Sequence, residues 1–125
     1  MAKISKRRKE TLRDKLYKRD GRRCHYCRIK EGDFIPIWGS FYGGKTRGRK
    51  LEIDRKDNNK GYTEENCVLA CAICNNAKSD KFTDEEFRKL GRVIREIWLK
   101  RILKKRNEEI LEIFYPLSEI RKRPD

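Results

Sequence analysis

Residues 51–80, LEIDRKDNNKGYTEENCVLACAICNNAKSD, contain the features that decide the fold. The segment begins with apolar and polar residues in alternation at 51–54, which is typical of a half-buried strand. Turn-forming residues at 57–62 predict a chain reversal, and the apolar run at 67–70 predicts a partner strand. A helix is predicted to open at Asn75. Two short strands and a helix in this one segment therefore form the predicted core.

Four of the five cysteines form two Cys-x-x-Cys pairs, Cys24/Cys27 and Cys71/Cys74. We call residues 24–27 the first knuckle and residues 71–74 the second knuckle. This spacing lets the two sulfurs of a pair reach one tetrahedral ion, so the pairs predict a closed, structural Zn²⁺ site without a free coordination position. A redox dithiol is the alternative. Cys67 is interpreted as a small buried hydrophobe.

The composition favours a small core and a polyanionic partner. Of 125 residues, 36% are hydrophobic and 43% are charged, and chains with so little to bury often depend on a metal. The formal charge of +14 favours nucleic acid as the partner. A basic thermophilic or ribosome-associated protein is the alternative. Residues 51–82 carry five basic and six acidic side chains, so the predicted core lacks a positive excess.

No membrane partner is expected. No apolar run approaches the roughly 20 residues that cross a bilayer, and the basic N-terminus has no hydrophobic segment after it, unlike a signal peptide. We therefore expect a cytoplasmic protein in a reducing, intracellular setting. In that setting paired cysteines are more often metal ligands than disulfides.

The flanking segments predict a basic helix and a basic ribbon. Residues 1–23 contain a basic helix that Ser5 caps and Asp20-Gly21 ends. Residues 33–50 alternate aromatic residues with glycines and predict a ribbon with a turn at 43–44, whose apolar members cover the zinc knuckle. Its basic end is predicted to contact DNA, through Lys45, Arg47, Arg49 and Lys50.

Residues 83–115 predict C-terminal helices. Thr83 and Glu86 have the spacing of a capping box, and apolar residues recur at helical spacing as far as about Lys105. A final apolar patch at 110–115 either folds back or contacts another subunit. Residues 116–125 are expected to form a tail.

The run IDRKDNNKGY…ENCVLACAICNNAKSD, with RDGRRCHYC upstream, resembles the HNH (ββα-metal) endonuclease family, and in particular its PacI-like restriction enzymes. The resemblance covers about residues 17–100. It implies a small α+β fold in which a zinc-stapled ββα-metal core has flanking helices, with residues 24–82 as the core of one nuclease domain spanning 1–125.

The resemblance also implies site residues. Asp54 matches the strand carboxylate and Asn75 the residue at the head of the helix, the two protein ligands of a catalytic Mg²⁺ or Mn²⁺. Arg55 stands where most members carry the histidine that activates water; because arginine stays protonated, the general base is open. Arg55 is instead expected to hold the phosphate, with help from Lys78. Tyr17 lies near the position of a tyrosine that PacI-like members place near the scissile phosphate.

The predicted function is a metal-dependent endonuclease that hydrolyses phosphodiester bonds of double-stranded DNA. A restriction-type enzyme would act on a palindrome as a homodimer, whereas a nicking or homing-type enzyme would act as a monomer. The alternative is a zinc-stapled nucleic-acid-binding protein without nuclease activity. An RNA-directed enzyme also stays open, because net charge does not distinguish DNA from RNA.

Overall fold

The structure, a computed structural model, describes residues 3–39 and 47–114, with side chains as far as residue 109. Its elements are α1 (Lys6–Asp20), a 3₁₀ turn (Glu31–Asp33), α2 (Phe34–Trp38), β1 (Glu52–Arg55), β2 (Cys67–Ala70), α3 (Ala72–Lys78) and α4 (Asp84–Phe114). The predicted small α+β class with flanking helices is confirmed. None of the helices in these ranges is long and apolar enough to cross a bilayer.

The core is an antiparallel hairpin followed at once by a helix. In the register of β1 and β2, Asp54 lies opposite Val68 and Arg55 opposite Cys67. Helix α3 begins three residues earlier than predicted, because the sulfur of Cys71 caps it by accepting from the backbone N–H of Cys74 at 3.4 Å. The second knuckle is therefore the first turn of α3, which couples the helix directly to the cysteine cluster.

One buried asparagine closes the loop between the strands. The side-chain amide of Asn66 donates to the carbonyls of Asp57 and Gly61, at 3.0 and 2.9 Å. Its oxygen accepts from the backbone N–H of Asp57 at 3.1 Å. These three hydrogen bonds pair the polar atoms of the Asn66 side chain inside the loop and tie its end to Asp57 and Gly61.

The predicted basic helix is confirmed as α1. The Ser5 hydroxyl accepts from the backbone N–H of Arg8 at 3.2 Å, and the helix ends at Gly21, whose φ of +78° favours glycine. Leu12 and Leu16 are buried against the hairpin. The charged side chains of α1 are left on the outside of this contact.

The prediction of a ribbon over 33–50 is wrong for its first part. Residues 34–38 form helix α2, in which Phe34 and Ile37 are buried. The Trp38 ring stacks on Phe34 at 4.8 Å and meets the Trp98 ring of α4 at 5.5 Å. Burying these apolar groups against α4 favours a helix here. The predicted turn at 43–44 lies outside the described residues.

The C-terminal segment forms one continuous helix, although a helix as far as about Lys105 and a separate apolar patch at 110–115 were predicted. The capping box is confirmed, since the Thr83 hydroxyl accepts from the N–H of Glu86 at 3.1 Å and Glu86 accepts from the N–H of Thr83 at 2.9 Å. The helix then continues to Phe114 instead of ending near Lys105, because residues 92–114 contain neither glycine nor proline. The apolar patch at 110–115 thus begins inside α4, but its side chains and the tail lie outside the described part.

Helix α4 docks on the first knuckle through a glycine. A Cβ added to Gly91 would lie 2.4 Å from the backbone oxygen of Tyr26. Beside it, the Tyr26 ring meets the Phe87 ring edge-on at 5.1 Å. Only glycine allows this close approach, so position 91 sets how α4 sits against the knuckle.

We expect Gly91→Ala to destabilise the protein, although alanine is the better helix former. The added methyl has to displace backbone, and overpacking of this kind costs about 1–3 kcal/mol. Thermal unfolding measures the change. Gly32→Ala is the control, because a Cβ there meets nothing within 4 Å. Equal melting temperatures for the two variants would contradict the close approach.

Candidate functional site

The four paired cysteines converge on one point. The sulfur atoms of Cys24, Cys27, Cys71 and Cys74 all lie within 4.8 Å of one another, and each residue is fully buried. Cys27 and Cys71 approach to 3.9 Å between sulfurs. A tetrahedral zinc–thiolate site has zinc–sulfur bonds of about 2.3 Å and hence sulfurs about 3.8 Å apart. The cluster fits such an ion, whereas Cys67 lies outside it.

The sulfurs behave as one electrostatic group. Burial acts to raise the pKa of the Cys24 thiol, but hydrogen bonds from the other three sulfurs outweigh it and lower that pKa well below its ordinary value. Hydrogen bonds with Cys24 and Cys27 raise the pKa of Cys71 and Cys74. Cys71 and Cys74 therefore keep their protons at neutral pH in the absence of an ion, and a cation bound by all four sulfurs would have to displace those protons.

Two neighbouring polar contacts, which we call rungs, join the face of β1 to α3. Strand residues two apart point to the same side, so Glu52 and Asp54 both face the helix. The Asn75 amide donates to Glu52 at 2.8 Å, and the Lys78 ammonium lies 3.4 Å from Asp54. Asp54 and Asn75 therefore face the same interface in neighbouring rungs, and each has a different direct partner.

The Asp54 rung lies in the core. Asp54 is 5% exposed and Lys78 is fully buried. The Tyr26 hydroxyl donates to the Asp54 carboxylate at 2.5 Å, and Lys78 also donates to the carbonyl of Arg55 at 3.2 Å. Burial raises the pKa of Asp54 above its ordinary value, although Tyr26 and Lys78 act to lower it. Burial and the hydrogen bond to Asp54 likewise raise the pKa of Tyr26.

The Asn75 rung is closer to solvent. Glu52 accepts from Asn75 and also from the Arg47 guanidinium, at 3.1 Å from Nε. Arg47 reaches Asn76 on α3 as well. This rung thus combines a carboxylate and a side-chain amide, whose oxygens are hard ligands of the kind that Mg²⁺ and Mn²⁺ prefer.

Arg55 points away from Asp54. Successive strand residues face opposite sides, and the Arg55 guanidinium lies over the Tyr62 ring at 4.7 Å while donating to the carbonyl of Lys60 at 3.3 Å. It therefore lies on the side of the hairpin that carries the loop 57–66.

Tyr17 belongs to a separate junction. Its hydroxyl donates to Glu31 at 2.5 Å, and Glu31 also accepts from the N–H of Leu51 at 2.8 Å and from Arg22 at 2.9 Å. Burial, then the hydrogen bond to Glu31, raises the pKa of Tyr17 to about 12. The phenol is protonated at neutral pH, and the junction ties α1 to the start of β1.

The residues predicted to bind DNA differ in how exposed they are and in the partners that they contact. Arg49 and Lys50 are exposed, and Lys50 lines a small cavity with Tyr17. Arg47 is engaged by Glu52 and Asn76, and Lys78 is buried on Asp54. Lys45 lies outside the described residues. A DNA contact by any of these side chains stays a prediction.

The contacts of two residues at this site were not predicted from the sequence. The alternation in Glu52-Ile53-Asp54 already placed Glu52 on the Asp54 face, so its contact with Asn75 could have been predicted. The Tyr26 hydroxyl contacts Asp54, and no sequence pattern signals this contact. In the same knuckle, the His25 ring is hydrogen-bonded to Asp84 at 2.8 Å and ties the first knuckle to the start of α4.

Comparison with solved structures finds the rare-cutting HNH restriction endonuclease PacI. The two chains superpose with a TM-score of 0.59 and 28% sequence identity, over 80% of this chain and 84% of PacI. The fold is HNH-like and related to that of PacI. The resemblance seen in the sequence is thereby confirmed, and the hairpin with α3 is the ββα unit of the HNH-like fold.

Sequence comparison adds a partial relative. An uncharacterized protein of Acanthamoeba polyphaga mimivirus is 39% identical over 56 residues, which is 45% of this chain and 8% of the viral protein. The match thus spans a small part of that protein. No protein-family model matches the sequence.

We expect Cys71→Ala to lose the metal and to unfold, because a closed four-thiolate site contributes on the order of 10 kcal/mol to folding. Metal content by mass spectrometry, together with circular dichroism, measures both effects. Cys67→Ala is the matched control, since Cys67 is equally buried but lies outside the cluster. One metal ion per chain in Cys71→Ala would contradict the four-cysteine site.

The ion pair inside the HNH-like core gives a second prediction. Lys78→Met leaves the Asp54 carboxylate buried without its cation, which costs about 3–5 kcal/mol in denaturant unfolding. Changing both partners, in Asp54→Asn/Lys78→Met, should recover part of the loss. Lys81→Met controls for the removed charge, because Lys81 is 79% exposed. If Lys78→Met and Lys81→Met unfold alike, the pair has no structural role.

Proposed function

We propose that this chain is a metal-dependent DNA endonuclease that hydrolyses phosphodiester bonds. The observation that carries the proposal is the HNH-like fold, which the chain has in common with a restriction endonuclease across most of both chains. The formal charge of +14 is consistent with a polyanionic substrate. Double-stranded DNA is the proposed form of that substrate.

Two metal sites with different tasks follow from this assignment. Zn²⁺ is assigned to the four cysteines, whose buried sulfurs would hold it without a free coordination position. The catalytic Mg²⁺ or Mn²⁺ is assigned to Asp54 and Asn75, with Glu52 as a neighbouring carboxylate. When bound, this cation would supply Lewis-acid stabilisation of the scissile phosphate.

The remaining side chains act on the phosphate by charge and hydrogen bonding. Arg55 is the proposed phosphate-binding cation, since it stays protonated at any physiological pH, and from its place over the Tyr62 ring it would contact a phosphate on that side of the hairpin. Tyr17, with a pKa raised to about 12, is not suited to accept a proton at neutral pH, and to donate a hydrogen bond to a phosphate it would have to release Glu31. Lys78 is proposed to act through Asp54, whose carboxylate it holds in place.

One observation favours a second candidate function, a nucleic-acid-binding protein without cleavage. Asp54 is already paired with Lys78 in the core, and Arg55 cannot replace a histidine as a general base. In such a protein the HNH-like fold would serve binding alone.

Cleavage of supercoiled plasmid separates the two functions. With Mg²⁺ or Mn²⁺ we expect conversion to nicked or linear DNA, and EDTA should abolish it. Asn75→Ala should reduce the rate by at least a hundredfold, because it removes a ligand of the cation. Asn76→Ala is the matched control, one residue further along α3 and exposed, with Arg47 as its contact.

Equal cleavage by the two asparagine variants would contradict the assigned site. Binding without cleavage under all metal conditions would support the second candidate. The products also report the type of enzyme, because linear DNA cut at a palindrome indicates a homodimer of the restriction type, whereas nicked circles indicate a nicking enzyme. Asp54 variants are less informative here, since their effect on the buried Lys78 confounds folding with activity.

A further inference from the structure

A basic surface lies beside the first knuckle and β2, apart from the interface of β1 and α3 that contains Asp54 and Asn75. A cavity of about 380 Å³, which we call the knuckle cavity, opens between the end of α1, the first knuckle and β2. Its lining is Arg19, Asp20, Arg23, His25, Arg28, Lys56, Val68 and Leu69. Four of these eight residues are arginine or lysine, and one is acidic.

The one acidic group in this lining is neutralised internally. The Arg19 guanidinium binds the Asp20 carboxylate through two nitrogens, at 2.8 and 2.7 Å, and donates to the carbonyl of Cys67 at 2.8 Å. Arg19 is therefore a structural cation. Arg23, Arg28 and Lys56 supply the positive charge that remains in the cavity.

Arg28 occupies a backbone conformation that disfavours arginine. Its φ is +62°, in the left-handed region that glycine and asparagine adopt at lower cost. The Arg28 carbonyl accepts from Arg23 at 3.3 Å, and the Arg28 side chain is exposed. This backbone conformation closes the turn of the first knuckle, because the Arg28 N–H donates to the Cys24 carbonyl at 3.0 Å, and it leaves the exposed Arg28 side chain in the lining of the cavity.

A neighbouring cavity extends the positive surface along α1. This α1 cavity, of about 300 Å³, includes Arg7, Arg8 and Lys15 in its lining, together with Tyr62 and Glu64. The Arg19 guanidinium, which lines the knuckle cavity, donates to the carbonyl of Glu64, which lines the α1 cavity. The Arg55 guanidinium lies over the Tyr62 ring, and Lys56 follows Arg55 in the chain. The positive surface therefore extends to the end of β1.

We propose that these cations form a phosphate-binding track for the backbone of double-stranded DNA. We call the set the basic track: Arg7, Arg8, Lys15, Arg23, Arg28 and Lys56. The choice of DNA as the polyanion rests on the proposed function. At 1.5 Å per residue, the seven steps from Arg8 to Lys15 span about 10 Å, which equals about three base-pair steps along the axis of the duplex. Unlike Arg47 and Lys78, whose charged groups are held by protein carboxylates, the track cations line open cavities.

The test measures the affinity of the full chain for a fluorescent duplex by anisotropy at several salt concentrations. The track variant, Arg23→Gln/Arg28→Asn/Lys56→Gln, should bind more than tenfold more weakly at low salt. The slope of log affinity against log salt should become shallower by about 2–3, since each phosphate contact contributes about 0.9. The matched control, Lys100→Gln/Lys104→Gln/Lys105→Gln, removes the same charge from an exposed part of α4 and should change either quantity little.

A single variant guards against a folding artefact. Arg28→Asn suits the left-handed backbone better than arginine, so its melting temperature and metal content should be unchanged or higher. Its affinity for the duplex should nevertheless fall, and its salt slope should become shallower by about one. Loss of binding by a variant that is at least as stable as the parent supports a direct contact.

Equal losses in the track variant and the α4 control would overturn the proposal, because binding would then follow net charge alone. Unchanged binding by Arg28→Asn would overturn the contact assigned to that residue. Tighter binding to single-stranded RNA than to the duplex would overturn the choice of polyanion. This experiment measures binding and not cleavage. Loss of affinity in the track variant would therefore support the track even if the parent protein never cleaved DNA. Failure of the nuclease assignment would be seen separately, in the plasmid assay.

Discussion

The convergence of four sulfurs is the constraint on which the rest of the structure depends. Cys27 and Cys71 are 44 residues apart in the chain, yet their sulfurs approach to 3.9 Å. This contact holds the first knuckle against α3. The knuckle also packs against α4, through the close approach at Gly91 and the hydrogen bond between His25 and Asp84. A chain with so small a hydrophobic core has few other means of holding these segments together.

The polar contacts between β1 and α3 depend on that arrangement in turn. Tyr26 reaches Asp54 because the first knuckle is held beside the strand, and Asn75 and Lys78 reach β1 because α3 begins at the second knuckle. The buried pair stabilises the unit only while both charges are present, since either charge alone would be strongly disfavoured in the core. Structural and proposed catalytic residues thus overlap at Asp54.

The net charge of the chain does not by itself show where a polyanion could bind. The chain carries +14, but several cations near the core are taken up by protein carboxylates, as Arg19 is by Asp20 and Arg47 by Glu52. What distinguishes the basic track is concave shape combined with cations that outnumber the nearby acids. Such a surface concentrates positive potential where a phosphate backbone can approach it.

The sequence by itself determined the features that act over short distances. Cysteine spacing predicted the cluster of four sulfurs, alternation predicted β1, the apolar run predicted β2, and the Ser5 and Thr83 caps predicted where α1 and α4 begin, because each depends on neighbouring residues. Only the tertiary structure decided which side chains meet. The Tyr26–Asp54 contact, the burial of Lys78 and the helix formed by 34–38 depend on packing between segments far apart in the chain, and no local pattern records that packing.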